Sequence, residues 1–328
     1  MPAQITIIGL GQIGASMGLA LAAHREIILR VGHDKNKEVE REALKKGAVD
    51  KAEHNLPTAV RDARLVVLCL PMSQVRETLK IIAPDLAEGT VVMDTSPVKA
   101  VVAKWAKEIL PEGCYYVGLV PAINPDALHD LRLGLDAAGS DLFTRGLFMI
   151  DAPHGTPGEA VTLVTDFTKL LGAGLLLADP VESDGLMASV HLLPQLTAAA
   201  LLNSTVDQPG WHEARKVAGR AYAFATASLA YQDEVDSLRM ASLQNRVSVV
   251  HALNMMMGAL RGLREDIEKG DEEGVAARLE SAREGRQRWV HERTIADWMG
   301  HPTTGKVGIP SISERLFGSK LAGKPRSE

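Results

Sequence analysis

A glycine turn between a short strand and a helix, close to the start of the chain, most constrains the fold. Gly9-Leu10-Gly11-Gln12-Ile13-Gly14 follows the apolar run Ile5-Thr6-Ile7-Ile8 and precedes an Ala/Leu/Met-rich helical stretch. A second apolar run, Ile27 to Gly32, then ends on His33-Asp34. Strand, glycine turn, helix, strand and acid follow each other in the order of a dinucleotide-binding unit. The sequence therefore predicts an α/β domain that holds a dinucleotide.

Each residue of the turn has a predicted task. Gly9 would allow the tight turn, Gly11 the close approach of a pyrophosphate, and Gly14 the packing of helix on strand. Gln12 and Ile13 open the helix, where free N–H groups and the positive end of the helix dipole would face the phosphates.

The ends of the predicted strands supply the other cofactor candidates. Asp34 lies 20 residues beyond Gly14, where a carboxylate can bind both ribose hydroxyls and repel a 2′-phosphate. We therefore expect NAD rather than NADP. Leu70, Pro71 and Asp94 end two further apolar runs, and ligands of open α/β sheets bind beyond such ends.

Composition limits the classes of partner. A net charge of -5 gives no basic surface for nucleic acid or an anionic membrane. Cys69 and Cys114 alone do not make a disulfide framework, and the few residues before the first strand leave no room for a signal peptide. The stretch from Gly185 to Val206 has no charged residue, but its many polar residues favour a helix buried in the protein or at a subunit interface. We expect a cytoplasmic protein.

The two halves of the chain have different patterns. Strands alternate with helices up to residue 181, which predicts a parallel, doubly wound Rossmann sheet in residues 1–181. Residues 182–299 read as an all-helical substrate and dimerisation domain, and residues 300–328 as a tail. The predicted long helices are Leu186 to Asn203, His212 to Tyr231, Val235 to Lys269 and Asp271 to Arg293. Their wide apolar faces predict a homodimer.

Polar residues beyond the later strands are the first catalytic candidates. Lys99 could bind a substrate carboxylate or a phosphate, or be a solvated lysine at a helix start. Asn124 could hold a substrate hydroxyl or the nicotinamide amide, or serve the turn before Pro125. Ser96 lies in the same segment as Lys99. No cluster of His, Cys, Asp and Glu has metal-ligand spacing, so no metal is expected.

Several segments together resemble the prephenate/arogenate dehydrogenases of tyrosine biosynthesis. That resemblance implies a Rossmann domain, an all-helical dimerisation domain, NAD, and oxidative decarboxylation of a small hydroxylated ring acid. It runs over about residues 4 to 290 and is stronger in the first half. The matching positions are 9–16, 66–71, the Asp-x-x-Ser-x-Lys-like segment 94–99, the Asp-Leu-Phe element 141–143, and Asp184, Ala188, Pro194, Ala198 and Asn245.

The departures from this family fall where the chemistry should be. Val120 stands where the family has the histidine that assists the ring hydroxyl, and Pro97 stands where it has a serine. Leu192 replaces the family's helix histidine, but His191 is adjacent and shares a helical face with Gln195 at i, i+4. His191 could move a proton near neutral pH, or could be a buried structural histidine.

Three functions therefore stay open at the level of sequence. The chain could be an NAD-dependent dehydrogenase that oxidises prephenate or arogenate. It could use the same scaffold on a different hydroxy acid, because several polar family positions are replaced together. It could also be a dimeric NAD-binding protein without dehydrogenase activity.

Overall fold

An eight-stranded sheet forms the centre of the first half of the chain. The computed structural model describes residues 2–130, 132–229 and 235–295. The order across the sheet is β3-β2-β1-β4-β5-β6-β7-β8. The strands are β1 Ala3–Ile8, β2 Ile28–His33, β3 Lys51–Ala52, β4 Ala63–Leu68, β5 Val91–Asp94, β6 Tyr115–Ala122, β7 Leu147–Asp151 and β8 Gly174–Ala178.

The sheet is not parallel throughout, which corrects the sequence-based expectation. Strands β1 to β6 are parallel, but β7 pairs antiparallel with β6, and β8 then runs parallel to β7. Between β6 and β7 the described residues, 123–130 and 132–146, form two short 3₁₀ turns, Pro125–Ala127 and Gly134–Ala137, and no crossover α-helix. Parallel neighbours need a long crossover connection, so the chain here returns in the opposite direction.

Helices cover both faces of the sheet, as expected for a doubly wound fold. One core contains Leu10, Met17, Val164 and Phe167 from one face; the other contains Val75, Leu79, Val102 and Trp105 from the opposite face. The second core also includes Ala188, Leu192, Ala241 and Val249 from the second half of the chain. The helices of this half of the fold are α1 Gln12–Leu21, α2 Lys37–Lys45, α3 Leu56–Val60, α4 Met72–Ile82, α5 Ala100–Ile109 and α6 Gly158–Leu170.

Beyond β8 the described residues form helices, but these are more broken than predicted. Extended backbone at Gly219 divides the helix expected from His212, and Asn245 ends one helix and begins the next. A π-helical turn, Ala188–Leu192, interrupts the helix expected from Leu186. The helices are α7 Pro180–Met187, α8 Leu193–Thr205, α9 Trp211–Val217, α10 Arg220–Thr226, α11 Val235–Gln244, α12 Arg246–Lys269 and α13 Glu272–Ile295. The predicted tail, 300–328, lies outside the described residues.

The helical run Pro180–Thr205 is long and apolar enough, by length and composition, to cross a membrane. A single such helix is weak evidence for a membrane span, because core helices of other proteins pass the same test. Ala188, Leu192 and Ala198 of this run are buried, whereas Val181 and Val190 are exposed.

Candidate functional site

A cavity of about 330 Å³ opens between the carboxyl ends of the strands and the helical half. This is the edge at which ligands of open α/β sheets bind. The glycine turn and the start of α1 form one wall, the residues after β4 and β5 form another, and the π turn and α11 close the cavity. The lining residues that matter below are Gly11, Gln12, Ile13, Gly14, Leu70, Pro71, Ser96, Pro97, His191, Leu192 and Ser237.

The three glycines of the turn have the geometry that their predicted tasks require. Gly9 has a backbone φ of +92, which residues with a side chain rarely adopt. A Cβ there would overlap the backbone oxygen of Cys69. A Cβ on Gly14 would overlap the backbone oxygen of Gly9. A Cβ on Gly11 would meet nothing within 4 Å. The cavity side of the turn is therefore open at Gly11, where a phosphate could approach the first N–H groups of α1.

Asp34 lies beside the glycine turn, at the end of β2. Its Oδ2 accepts a hydrogen bond from the Leu10 N–H at 2.9 Å, and its Oδ1 accepts one from the Asn36 N–H at 2.9 Å. A carboxylate can accept about four hydrogen bonds, so these two bonds orient the group and leave acceptor positions for a ligand. Asp34 is thus placed to accept hydrogen bonds from a ribose next to the turn.

Asp94 is not part of the cavity wall, which corrects its assignment as a cofactor contact. Its side chain is fully buried, and both carboxylate oxygens already have partners. Oδ1 accepts from the Lys99 ammonium at 3.0 Å and from the Tyr116 hydroxyl, and Oδ2 accepts from the Ser96 N–H at 2.8 Å and from the Ser96 hydroxyl. Of these side chains only Ser96 also lines the cavity.

Lys99 lies beneath the site rather than in it. Its side chain is fully buried, and its ammonium also donates to the backbone oxygen of Asp94 at 2.8 Å. Gly118 leaves the space that it occupies, since a Cβ there would lie 2.8 Å from Lys99 Cδ. The structure therefore gives no support to Lys99 as a ligand of a substrate carboxylate, and it is not a solvated lysine either.

Two more carboxylates join this buried layer, and sequence reasoning gave neither a role in it. Asp184, on α7, accepts hydrogen bonds from the backbone N–H groups of Lys99 and Ala100 and so caps α5. Asp151, at the end of β7, accepts a short hydrogen bond from the Ser183 hydroxyl. Burial raises the pKa of Asp151 to about 6 and also raises the pKa of Asp184.

His191 reaches the cavity from the π turn. Leu193 donates its N–H to Ala188 O, an i→i+5 bond, so one extra residue is accommodated and both His191 and Leu192 line the cavity. Burial lowers the pKa of His191, which favours the neutral imidazole that can accept a proton. Among the described residues, none forms a hydrogen bond with its ring.

Gln195 supports the π turn instead of lining the cavity. Its Nε2 donates to the backbone oxygen of His191 at 2.8 Å, and its buried Oε1 has no hydrogen-bond partner among the described residues. The predicted pair of His191 and Gln195 thus meets through the backbone oxygen of the histidine, and the structure gives no support to Gln195 as a substrate contact.

Asn124 lies outside the cavity wall, beyond β6. Its Oδ1 accepts from the Asp126 N–H at 3.0 Å, and its Nδ2 donates to the Asp141 backbone oxygen at 3.2 Å. These bonds cap a 3₁₀ turn, so the geometry favours the turn role and gives no support to contact with substrate or nicotinamide.

Residues 17–177 match the family model described as the prephenate dehydrogenase nucleotide-binding domain. A curated relative, the cyclohexadienyl dehydrogenase of Zymomonas mobilis, is 26% identical over 267 residues, which cover 81% of this chain and 89% of that protein. The prephenate dehydrogenase of Bacillus subtilis is 26% identical over 202 residues, 61% of this chain and 53% of that one. The chain is thus similar to prephenate and cyclohexadienyl dehydrogenases, and over residues 17–177 to the nucleotide-binding domain of the former.

Solved structures of prephenate and arogenate dehydrogenases have the same fold as this chain. The Aquifex aeolicus prephenate dehydrogenase, solved with hydroxyphenyl propionate and NAD+, superposes with a TM-score of 0.75 at 21% identity, covering 88% of this chain and 98% of that one. The Synechocystis arogenate dehydrogenase gives a TM-score of 0.68 at 21% identity, with coverages of 87% and 99%. These structures show the fold, and the curated relatives with the matched nucleotide-binding model make the chain an oxidoreductase with a nucleotide-binding domain.

Proposed function

We propose that the protein is an NAD-dependent dehydrogenase that oxidises prephenate or a closely related hydroxylated ring acid. One observation carries the proposal: the open glycine turn and the neutral His191 line the same cavity. A cofactor held on one wall and a proton acceptor on the other are the two groups that this oxidation needs.

The residues present fit a dinucleotide. Gly11, Gln12 and Ile13 would receive the pyrophosphate, Asp34 the adenosine ribose, and Leu70 with Pro71 would border the nicotinamide end. Bound NAD supplies a hydride acceptor. The Asp34 carboxylate repels a 2′-phosphate, which supports NAD over NADP.

His191 would take the hydroxyl proton of the substrate. The ring carbon gives up a hydride, and its hydroxyl becomes a carbonyl as it passes its proton to the imidazole. The carboxylate on the opposite ring carbon leaves as carbon dioxide, its bonding electrons make the ring aromatic, and the ring oxygen takes the proton back from the imidazolium. Ser96 lines the same cavity; because its hydroxyl proton is donated to Asp94, its oxygen would accept a hydrogen bond from the substrate hydroxyl. Val120 cannot form a hydrogen bond, so His191 replaces the group that the family resemblance would place there.

One observation favours a second candidate, a dehydrogenase of another hydroxy acid. Val120 is buried, and Pro97 and Leu192 line the cavity with apolar groups where the family resemblance implies polar ones. A more apolar pocket would select a substrate with fewer polar groups than prephenate.

The test is formation of reduced nicotinamide by the purified full chain with NAD and, in turn, prephenate, arogenate and a panel of hydroxy acids. His191→Asn should lower kcat by about 10²–10⁴-fold, the usual contribution of a general base. The exposed His251→Asn on α12 is the matched control. Equal kcat in both variants would rule out His191 as the base. Turnover of another hydroxy acid but not of prephenate or arogenate would favour the second candidate. Binding of NAD without turnover of any acid would favour a non-catalytic protein.

We further propose that the protein is a cytoplasmic homodimer that pairs through its helical half. Exposed apolar side chains support this pairing, because helices with such faces are covered in stable proteins. They include Val190, Val247, Val250, Met257 and Trp289. Sedimentation should show a dimer that Val250→Glu converts to a monomer, and a monomeric unmodified protein would contradict the pairing.

A further inference from the structure

Three side chains that are far apart in sequence converge at the adenosine end of the proposed cofactor site. His33 ends β2, Glu40 lies on α2, and His54 follows β3. The Nδ1 of His54 is 3.1 Å from Glu40 Oε2, and the Nδ1 of His33 is 3.6 Å from Glu40 Oε1. The potential ligand atoms of all three residues lie within 4.8 Å of one another.

We propose that His33, Glu40 and His54 bind a Zn²⁺-class transition-metal ion. Two imidazoles and one carboxylate form a ligand set that zinc uses when a fourth position is left to water or another ligand. With metal–ligand bonds of about 2.0–2.2 Å in a tetrahedron, ligand atoms lie roughly 3.3 Å apart. Glu40 Oε1 lies 3.2 Å from the Nδ1 of His54 and 3.6 Å from the Nδ1 of His33, so both imidazoles lie at about that spacing from one carboxylate oxygen.

Burial supplies the second argument. The Glu40 side chain is only 7% exposed, and a buried carboxylate is costly unless it is paired or coordinates a metal. The side chain of His54 is 46% exposed, which leaves the site open to solvent on one side. An ion can therefore enter past His54 and reach a carboxylate that the fold already fixes.

The surrounding contacts orient the ligands. The Asp34 N–H donates to Glu40 Oε1 at 3.0 Å and fixes the carboxylate. The Nδ1 of His33 also lies 3.1 Å from the backbone oxygen of Glu53, so it must give up that hydrogen bond and present a lone pair to bind the ion. The proton can be held at Nε2, because a neutral imidazole exists in two tautomers.

Position links this metal site to the cofactor site. Glu40 contacts the backbone of Asp34, whose carboxylate in turn accepts from Leu10 within the glycine turn. The metal and the dinucleotide should therefore change each other's affinity by the same factor. This second step rests on the proposed function, whereas binding of the metal does not.

The test uses the tag-free full chain, treated with a chelator that is then removed, and titrates ZnCl₂ by calorimetry without cofactor. We expect one ion bound through this cluster and at least a tenfold loss of affinity in His54→Ala and in Glu40→Gln. Glutamine keeps an acceptor for the Asp34 N–H, and nearly half of the His54 side chain is exposed to solvent, so both variants should fold. His24→Ala, outside the cluster, is the control and should bind Zn²⁺ normally.

Absence of Zn²⁺ binding, or equal affinity in all variants, would overturn the proposed site. NADH binding is then measured with and without Zn²⁺ in the unmodified protein and in His54→Ala. A Zn²⁺-dependent change that His54→Ala removes supports the link, and an unchanged NADH affinity overturns it. Failure to bind NADH at all would contradict the proposed function and leave the metal titration intact.

Discussion

Gly11 and Gly14 lie three residues apart on the same turn, yet the structure predicts opposite consequences for alanine at the two positions. A Cβ on Gly14 would overlap the Gly9 backbone oxygen and lie 3.0 Å from Ile7 Cγ2 and 3.2 Å from Cys69 Cβ. A Cβ on Gly11 would meet nothing within 4 Å. Gly14→Ala should therefore damage the fold, whereas Gly11→Ala should damage only the binding of a ligand.

The sizes of the two effects follow from these contacts. Overpacking usually costs about 1–3 kcal/mol, and the closest neighbour of Gly14 is rigid backbone, so we expect about 3 kcal/mol or more for Gly14→Ala. That is a large share of the roughly 5–15 kcal/mol by which most proteins are stable. Gly11 has φ -72 and extended ψ, which alanine can also adopt. Alanine there lowers the conformational entropy of the unfolded chain, which stabilises the fold by about 0.4–1 kcal/mol and offsets its poorer capping of α1.

For cofactor affinity we expect the opposite order, with a larger effect of Gly11→Ala than of Gly14→Ala. The added methyl at Gly11 would occupy the space through which the pyrophosphate approaches the start of α1. A steric penalty of about 1–3 kcal/mol corresponds to roughly 5- to 150-fold weaker binding. Urea unfolding and NADH titration of both variants measure the two effects separately. If Gly11→Ala binds NADH as tightly as the unmodified protein, the pyrophosphate does not approach α1 past Gly11. If Gly11→Ala is destabilised as much as Gly14→Ala, the space beside Gly11 is not open.

Three further predictions concern charged groups. Lys99→Met should destabilise the protein by about 3–5 kcal/mol in urea, because it leaves the buried Asp94 without its cation, and the exposed Lys104→Met is the control. The pKa of Asp151, about 6 against an ordinary 3.8, means that the folded state keeps a proton that the unfolded chain loses, so its contribution to stability falls as pH rises from about 4 to 6. Asp151→Asn should remove this fall, and parallel stability–pH curves of the two proteins would contradict it. Asp34→Ala should weaken NADH binding, and a preference of the unmodified protein for NADPH would contradict the role of the acid.

Local patterns predicted the first half of the fold well. The roles of Gly9 and Gly14 depend on neighbours within one strand–turn–helix unit, and the sequence carries that unit intact. The antiparallel β7 could not be predicted in this way, since the apolar run of a strand does not encode its direction. The signal for its direction was that the sequence between Ala122 and Leu147 has no helical pattern for the crossover that a parallel β7 would need.

The catalytic region was harder to predict because it depends on distant contacts. From the sequence, Lys99 is either a ligand for a carboxylate or phosphate or a solvated lysine at a helix start, but the space at Gly118 and the partner at Asp94 bury it. A regular helix would have turned His191 away from the position of Leu192, and only the π turn brings both to one cavity. The meeting of His33 with Glu40 and His54 likewise depends on the packing of β2, α2 and β3.

The second core has a consequence for how this architecture can change. Because Leu192 and Val249 pack in the same core as Val75 and Val102, the nucleotide-binding half cannot be detached without exposing the outer faces of α4 and α5 to water. The two halves therefore depend on each other for their burial, as two parts of one core. Within this architecture, the cavity can change one residue at a time, and Pro97 and Leu192 are two of the residues that set its apolar character.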